Sequence, residues 1–319
     1  MGELKIAGKS LAYRKNESVL DCLQRHQIEI TSSCRSGVCQ SCLIQGSGNV
    51  PALAQKGVAP GLRKQNFFLA CQCPAAEDIE IISAAGRPLL HSRIVSVESL
   101  SPQIIRVKIF RPPELSFEAG QFIEVIRPSD KLSRSYSIAS LPCEDMIELH
   151  VAVLNDGRMS QFLKGGTEQE LLLRGPSGDC FYSEEYQDEP LLLAGTGTGA
   201  APLWGIVQQA LALCHAAPIQ LFLGALTASE LYLREELQAL ASLHENFSFH
   251  LSALSVPEPD EVVHSTPLAE LIKEKVSNCS QHRVFLCGNP DLVQKLRKQC
   301  FLDGAAMQNI HSDPFVMAK

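Results

Sequence analysis

The pattern of apolar and polar positions changes character twice along the chain. Short alternating segments around Leu4–Ile6 and Leu11–Tyr13 predict a hairpin. Ser18 can then cap a helix running to His26, with Val19, Leu20, Cys22 and Leu23 as its apolar positions. A stretch rich in small residues, Thr31 to about Lys64, predicts a loop, and Ile79–Ile82 a closing strand. Residues 1–88 thus read as a small α+β unit ending in the linker Ala84–Pro88. From Leu89 to Glu185, strand follows strand: Ile94–Val97, Ile104–Ile109, Phe122–Ile126, Tyr136–Ala139, Ile147–Val153 and Leu171–Leu173. Pro, Gly, Asp and Ser turns separate them, a helix starts near Arg158, and the spacing predicts an antiparallel barrel. Over residues 186–319 the pattern alternates. Strands at Pro190–Ala194, Gln220–Gly224, Ser248–Leu251 and Val284–Cys287 interleave with helical stretches near 201–215, 230–243, 267–275 and 290–302. Such alternation predicts a parallel sheet wrapped by helices.

Composition narrows the function classes. With 45% hydrophobic and 20% charged residues, the chain can bury a sizeable core and is not a disordered one. A formal charge of −7 argues against nucleic acid as the main partner. Glu3, Lys5 and Lys9 interrupt any apolar signal-like start, and the apolar run Leu191–Val207 is broken by Gly195, Gly197, Gly199, Pro202 and Gly205. The expectation is a cytoplasmic protein without a membrane partner. Hydrolase signatures such as G-x-S-x-G and H-E-x-x-H are missing, and the nine histidines are dispersed.

The cysteines carry the first chemistry. Six of the twelve lie between Cys22 and Cys73. Cys34, Cys39 and Cys42 form C-x4-C-x2-C, and 28 residues separate Cys42 from Cys71. That spacing suits a [2Fe–2S] cluster, in which four thiolates complete two tetrahedral irons, better than zinc, whose sites usually pair two close C-x2–4-C units. Ser32, Ser33, Ser36, Gly37 and Ser41 allow the backbone to approach sulfur closely. Cys71 and Cys73, two residues apart, both compete for the fourth position.

Several motifs resemble those of the ferredoxin–NADP reductase superfamily. Leu69-Ala70-Cys71-Gln72-Cys73 is similar to the ferredoxin "LACxC" strand, in which the first cysteine binds iron; the resemblance selects Cys71. Arg134-Ser135-Tyr136-Ser137 resembles R-x-Y-S, which implies FAD: an arginine on the diphosphate, a tyrosine stacked on the flavin, and the Ser137 hydroxyl at its N5 edge. Gly157-Arg158-Met159-Ser160 adds a glycine turn into a helix start, where N–H groups attract phosphate, and Gly175-Pro176-Ser177-Gly178 resembles the family's "GPxG". Ala194-Gly195-Thr196-Gly197-Thr198-Gly199-Ala200-Ala201-Pro202 follows an apolar strand and opens a helix. It is not a clean G-x-G-x-x-G but resembles "GGTGxAP", the nicotinamide-nucleotide turn. Cys287-Gly288-Asn289-Pro290 resembles "CGxP", whose cysteine lies beside the nicotinamide; Asp313-Pro314-Phe315 resembles the "E-x-F" tail with Asp313 in place of Glu. The resemblance therefore implies catalytic roles for Ser137, Cys287, Asp313 and Phe315.

The whole order is similar to the reductase components of multicomponent oxygenases, such as benzoate dioxygenase reductase, and to reductases serving iron–sulfur deoxysugar dehydrases. It implies a β-grasp ferredoxin-like α+β domain (1–88), an antiparallel β-barrel flavin domain (89–185) and an α/β parallel-sheet nicotinamide domain (186–319). NADH would deliver two electrons, FAD accept them together and release them singly, and the [2Fe–2S] cluster pass them to a protein acceptor. A flavin and iron–sulfur redox sensor is the reading from another class. Glu230, just past the strand expected near the adenosine ribose, would repel a 2′-phosphate, which favours NADH over NADPH. Residues 1–88 hold ten Lys/Arg against seven Asp/Glu, whereas the remainder holds 18 against 28. Arg35, Arg63 and Lys64 near the ligands suggest an acceptor with an acidic docking patch.

Overall fold

The computed structural model describes residues 2–6, 8–30, 32, 34–38, 40–58, 62–63, 66–83, 89–256 and 261–315. Ser33, Cys39, Lys64 and the Ala84–Pro88 linker lie outside the described residues.

The first unit comprises β1 (Gly2–Ile6), β2 (Lys9–Tyr13), α1 (Val19–Arg25), β3 (Leu43–Gly48), β4 (Phe67–Leu69) and β5 (Ile79–Ser83). They form one mixed sheet, ordered β2-β1-β5-β3-β4, with β1 and β5 parallel and the other pairs antiparallel. The Ser18 hydroxyl accepts from the Asp21 N–H and caps α1, whose Val19, Leu20, Cys22 and Leu23 face the sheet. The predicted 31–64 loop is corrected here, because β3 lies inside it. Its glycines mark close strand approach rather than a turn: a Cβ on Gly46 would come within 2.8 Å of both Glu80 O and the Phe68 ring. At Gly48, with φ +92°, a Cβ would overlap Asp78 O.

The second unit contains β6 (Leu90–Ser101), β7 (Ile104–Phe110), β8 (Phe122–Ile126), β9 (Ser133–Ser137), β10 (Met146–Ala152), α2 (Arg158–Lys164) and β11 (Glu170–Ser177). The antiparallel order is β10-β7-β6-β11-β8-β9. An Ile138–Leu149 bridge brings the two end strands together and closes a barrel. Ile94, Val107, Ile123, Val125 and Leu149 fill its interior.

The third unit holds β12 (Leu191–Thr196), α3 (Ala200–Ala212), β13 (Ile219–Thr227), α4 (Arg234–Leu243), β14 (Phe247–Ser255), β15 (Val263–His264), α5 (Leu268–Lys275), β16 (Arg283–Gly288), α6 (Pro290–Leu302) and β17 (Ile310–Pro314). All its strands are parallel, in the order β15-β14-β13-β12-β16-β17. Leu191 and Leu193 pack toward α3 and α4, while Leu192 and Ala194 pack toward α5 and α6. A strand covered on both faces is apolar at every position, hence the unbroken Leu run. The tail read only as a motif forms β17, which sets Asp313 opposite Cys287 on β16.

Candidate functional site

Strand β9, the start of α2, the turn after β12 and the end of β17 converge on one cavity of about 640 Å³. Arg134, Ser135, Tyr136 and Ser137 line one side and Gly157, Arg158, Met159 and Ser160 another. Thr198, Ala201, Asp313, Pro314 and Phe315 line a third, and Cys34 and Val38 reach it from the first unit. This volume is that of a cofactor site. Ser135 Oγ is buried there without a partner among the described residues, and an unmet hydroxyl favours a polar ligand.

The neighbouring side chains are held firmly. Arg134 Nη1 donates to Ser133 O at 2.7 Å. Arg158 Nη2 donates to Asp130 Oδ2 at 2.5 Å, and Arg127, bonded to the same carboxylate, holds it well below the usual range. Ser160 Oγ accepts from Leu154 N at 3.1 Å and donates to Gly157 O at 3.0 Å, so this hydroxyl shapes the turn. Ser137 Oγ donates to Asp313 Oδ2 at 3.4 Å. Burial pushes the Asp313 carboxyl up to about 7, a shift the Ser137 contact partly opposes. Phe315 is fixed by its N–H, which donates to Gly288 O at 2.8 Å.

The glycine turn divides into two kinds of position. A Cβ on Gly199 would meet Cys287 O at 2.5 Å, and on Gly195 it would meet Leu203 Cδ1 at 2.8 Å, so both glycines serve tight strand–turn packing. Gly197, with φ +54°, faces open space, as a nucleotide approaching the backbone requires. Pro202 is buried in the first turn of α3. Glu230 Oε2 accepts from Leu226 N at 3.1 Å at the end of β13, away from this cavity. Cys287 does not line the cavity either. It is 1% exposed and its sulfur lies 3.6 Å from that of Cys180, with burial and that neighbour pushing its thiol pKa well up.

Among the ligand candidates, Cys71 is hydrogen-bonded, not disulfide-linked, to the Cys42 thiol, which with the Gln72 amide and the Gly37 N–H lowers its pKa to about 6 despite burial. Gln72 Nε2 donates to Cys71 Sγ at 3.5 Å and Ser36 N to Cys34 Sγ at 3.4 Å. Cys73 points elsewhere: fully buried, it bonds Pro74 O at 3.6 Å, and burial pushes its thiol up to about 12. No three potential ligands stand at metal-binding distance among the described residues, which exclude Cys39. Thiols supplied with N–H donors in a small-residue loop fit an iron–sulfur cluster.

The sequence reading missed His150, set with ordinary histidines. It is buried on the cavity wall, its Nε2 2.9 Å from Glu148 Oε1 and its Nδ1 3.1 Å from Tyr232 Oη. Glu148 also binds Arg106 at 3.0 Å, and Arg106 reaches Glu236 at 3.1 Å. The Glu148/His150 alternation on β10 was the only local signal, and Tyr232 lies 82 residues on.

Thiols beside a flavin-sized cavity, with a nucleotide-ready parallel sheet on its far side, define an electron-transfer class that takes electrons in pairs and releases them singly. Residues 4–76 match the model of a 2Fe-2S iron-sulfur cluster binding domain. Residues 91–182 match an oxidoreductase FAD-binding domain and residues 193–298 an oxidoreductase NAD-binding domain. The chain is 30% identical to terephthalate 1,2-dioxygenase reductase component 1 of Comamonas sp, over 94% of this chain and 92% of that protein. It is 27% identical to the naphthalene 1,2-dioxygenase system reductase component of Pseudomonas putida, covering 96% and 95%. A cytochrome P450 reductase from Amycolatopsis superposes with a TM-score of 0.70 at 26% identity, covering 99% of both chains. The chain belongs to the ferredoxin–NAD(P)H reductase superfamily, among its iron–sulfur flavoprotein reductases. It is an oxidoreductase that carries electrons from NADH through FAD to a [2Fe–2S] cluster and on to a one-electron acceptor. No helix among the described residues is long and apolar enough to cross a membrane.

Proposed function

We propose that residues 1–88, 89–185 and 186–319 are the cluster, flavin and nicotinamide domains of a reductase serving the terminal component of an oxygenase system. The observation that carries this is the shared cavity, which Cys34, the Arg134–Ser137 strand, Thr198 and Phe315 all face. The relatives named for dioxygenase systems supply the acceptor class.

Cys34, Cys39, Cys42 and Cys71 hold the cluster, while Cys73 stays a packed core thiol. Arg134 binds the flavin diphosphate, Tyr136 offers a ring face, and Gly157, Arg158, Met159 and Ser160 form the opposite wall. Gly195, Thr196, Gly197, Thr198, Gly199 and Pro202 receive the nicotinamide nucleotide. Ser137 keeps its hydroxyl on Asp313, which holds a proton near neutrality, and Phe315 screens the site until the nicotinamide enters. Cys287 supports the glycine turn through its carbonyl, beside Gly199, instead of touching the ring. When bound, the flavin and cluster would supply the conversion of one hydride's electron pair into single electrons.

Anaerobic NADH should bleach both the flavin and the cluster absorption of the purified protein and drive rapid cytochrome c reduction. A colourless zinc preparation, or turnover too slow to sustain electron supply, would overturn the reading. Arg35, beside Cys34, supports an acidic acceptor surface, although Asp21 binds it at 2.9 Å and offsets its charge. Added salt should therefore slow transfer to the acceptor but leave flavin reduction constant.

A further inference from the structure

Between the first unit and the barrel lies a small void of about 10 Å³, roughly the room of one water. Gln40, Ser41 and Leu43 line it from the first unit; Phe122, Glu124, Arg174 and Ser177 line it from the barrel. Arg174 and Glu124 are directly opposed across β11 and β8, with Nη1 3.3 Å from Oε2. Glu124 is 3% exposed. Glu124 Oε1 and Arg174 Nε find no partner among the described residues. The next strand places Ser135 opposite Glu124, so one polar row runs from this void to the flavin cavity. Phe122 lines both spaces.

The position of this pair matters more than its charge. Gln40 and Ser41 lie between Cys39 and Cys42, so whatever the ligand segment rests on also sets where the cluster stands. A well-packed apolar pair would hold the strands together as well as a buried ion pair or better, so stability alone does not account for it. A forked guanidinium and a carboxylate fix direction, which apolar side chains do not.

We propose that Glu124 and Arg174 are positioning residues for electron transfer between flavin and cluster, their ion pair being the support on which the ligand-bearing segment Gln40–Leu43 is set. The inference rests on the reductase reading and deepens it. The void has room for one water, which would join Glu124 Oε1 and Arg174 Nε to that segment.

The test uses FAD- and cluster-loaded protein carrying Glu124→Gln, Arg174→Met, or the double change Glu124→Leu/Arg174→Met. In anaerobic rapid mixing with NADH, flavin reduction should match the parent protein, whereas the following cluster reduction should slow severalfold, because electron transfer weakens as the gap between flavin and cluster widens. Amide hydrogen exchange over Gln40–Leu43 should rise in every variant. The double variant should regain the parent's thermal midpoint but not its cluster-reduction rate. Parent-like cluster reduction with unchanged exchange would overturn the inference, as would full recovery of both in the double variant. Failure of NADH to reduce the cluster in the parent protein would instead remove the reductase reading and this inference with it.

Discussion

The barrel meets its two neighbours in opposite ways. Toward the nicotinamide unit the boundary is continuous protein interior: Ile104, Cys180 and Tyr182 of the barrel share one apolar cluster with Leu193, Leu203, Ile206 and Phe285. Polar contacts reinforce it, including Arg106–Glu236 at 3.1 Å, His150–Tyr232 at 3.1 Å and Gln208 Nε2 to Ala139 O at 3.2 Å. Toward the cluster unit no core is shared among the described residues. Among the described residues that unit's apolar cluster runs only from Leu4 to Ile81, and its approach to the barrel includes Cys34, Val38, the Gln40–Leu43 segment and Gly57, where a Cβ would come 3.7 Å from Asp179 Oδ2. The chemistry explains the difference. Hydride transfer needs the two rings in contact, so the elements bearing them must move as one body. A single electron crosses a gap, so the cluster unit needs only a defined position.

The largest expected effect breaks the molecule along this line. Cys71→Ser should lose the cluster and nearly all cytochrome c reduction, while NADH still reduces the flavin, because the other core does not depend on the first. Iron and sulfide analysis beside flavin bleaching checks it. Cys73→Ser should keep its iron, since that sulfur is packed against Pro74 O. The opposite result in the pair would reassign the fourth ligand and with it the orientation of the segment.

A smaller effect lies on the continuous side. Asp313 is raised from 3.8 to about 7 by burial. Between those values the folded protein binds a proton that the unfolded chain releases, so Asp313 makes stability fall as pH rises through this window and adds no penalty below it. Asp313→Asn should flatten that part of the thermal midpoint–pH curve. It should also slow flavin reduction about ten-fold by withdrawing the exchangeable carboxyl proton beside the Ser137 hydroxyl. An unchanged curve would show that the carboxyl ionises freely, and an unchanged rate that Ser137 needs no such partner.

What the chain made legible followed the same division. Barrel and parallel sheet were readable because their periodicity is imposed by cores on one or both faces, as in the Leu191–Ala194 run. The first unit was harder to read. Gly46 and Gly48 look like loop residues until β5 is seen pressed against them. Within the site, the motif residues Arg134–Ser137 and Asp313–Phe315 do gather on the cavity. His150 offered only its alternation with Glu148, and the Glu124–Arg174 pair offered nothing, because Tyr232 and Arg174 lie on other elements tens of residues away. Cys287 shows the converse. Its motif was legible, but the surrounding core turned its sulfur toward Cys180.

The smallest effect concerns which nicotinamide enters on the continuous side. Glu230 follows β13, and its Oε2 is tied to Leu226 N at 3.1 Å, so the carboxylate is held at the strand end expected near the adenosine ribose. A 2′-phosphate placed there would add up to two negative charges close to a fixed one. At about 4 Å, with the charges fully screened by water, such repulsion amounts to about 1 kcal/mol per charge, weaker again in salt. Glu230→Ser should therefore narrow the preference for NADH over NADPH about five-fold. Most of the change should appear in the apparent affinity for NADPH, with little in the maximal rate of flavin reduction, because the ribose end is remote from the reacting ring. Arg234, at the start of α4, is the nearby cation that would accept the phosphate, so adding Arg234→Ala should cancel the gain. Equal preference in the parent and Glu230→Ser would show that the carboxylate does not face the ribose, and that the selection lies elsewhere along the nicotinamide unit.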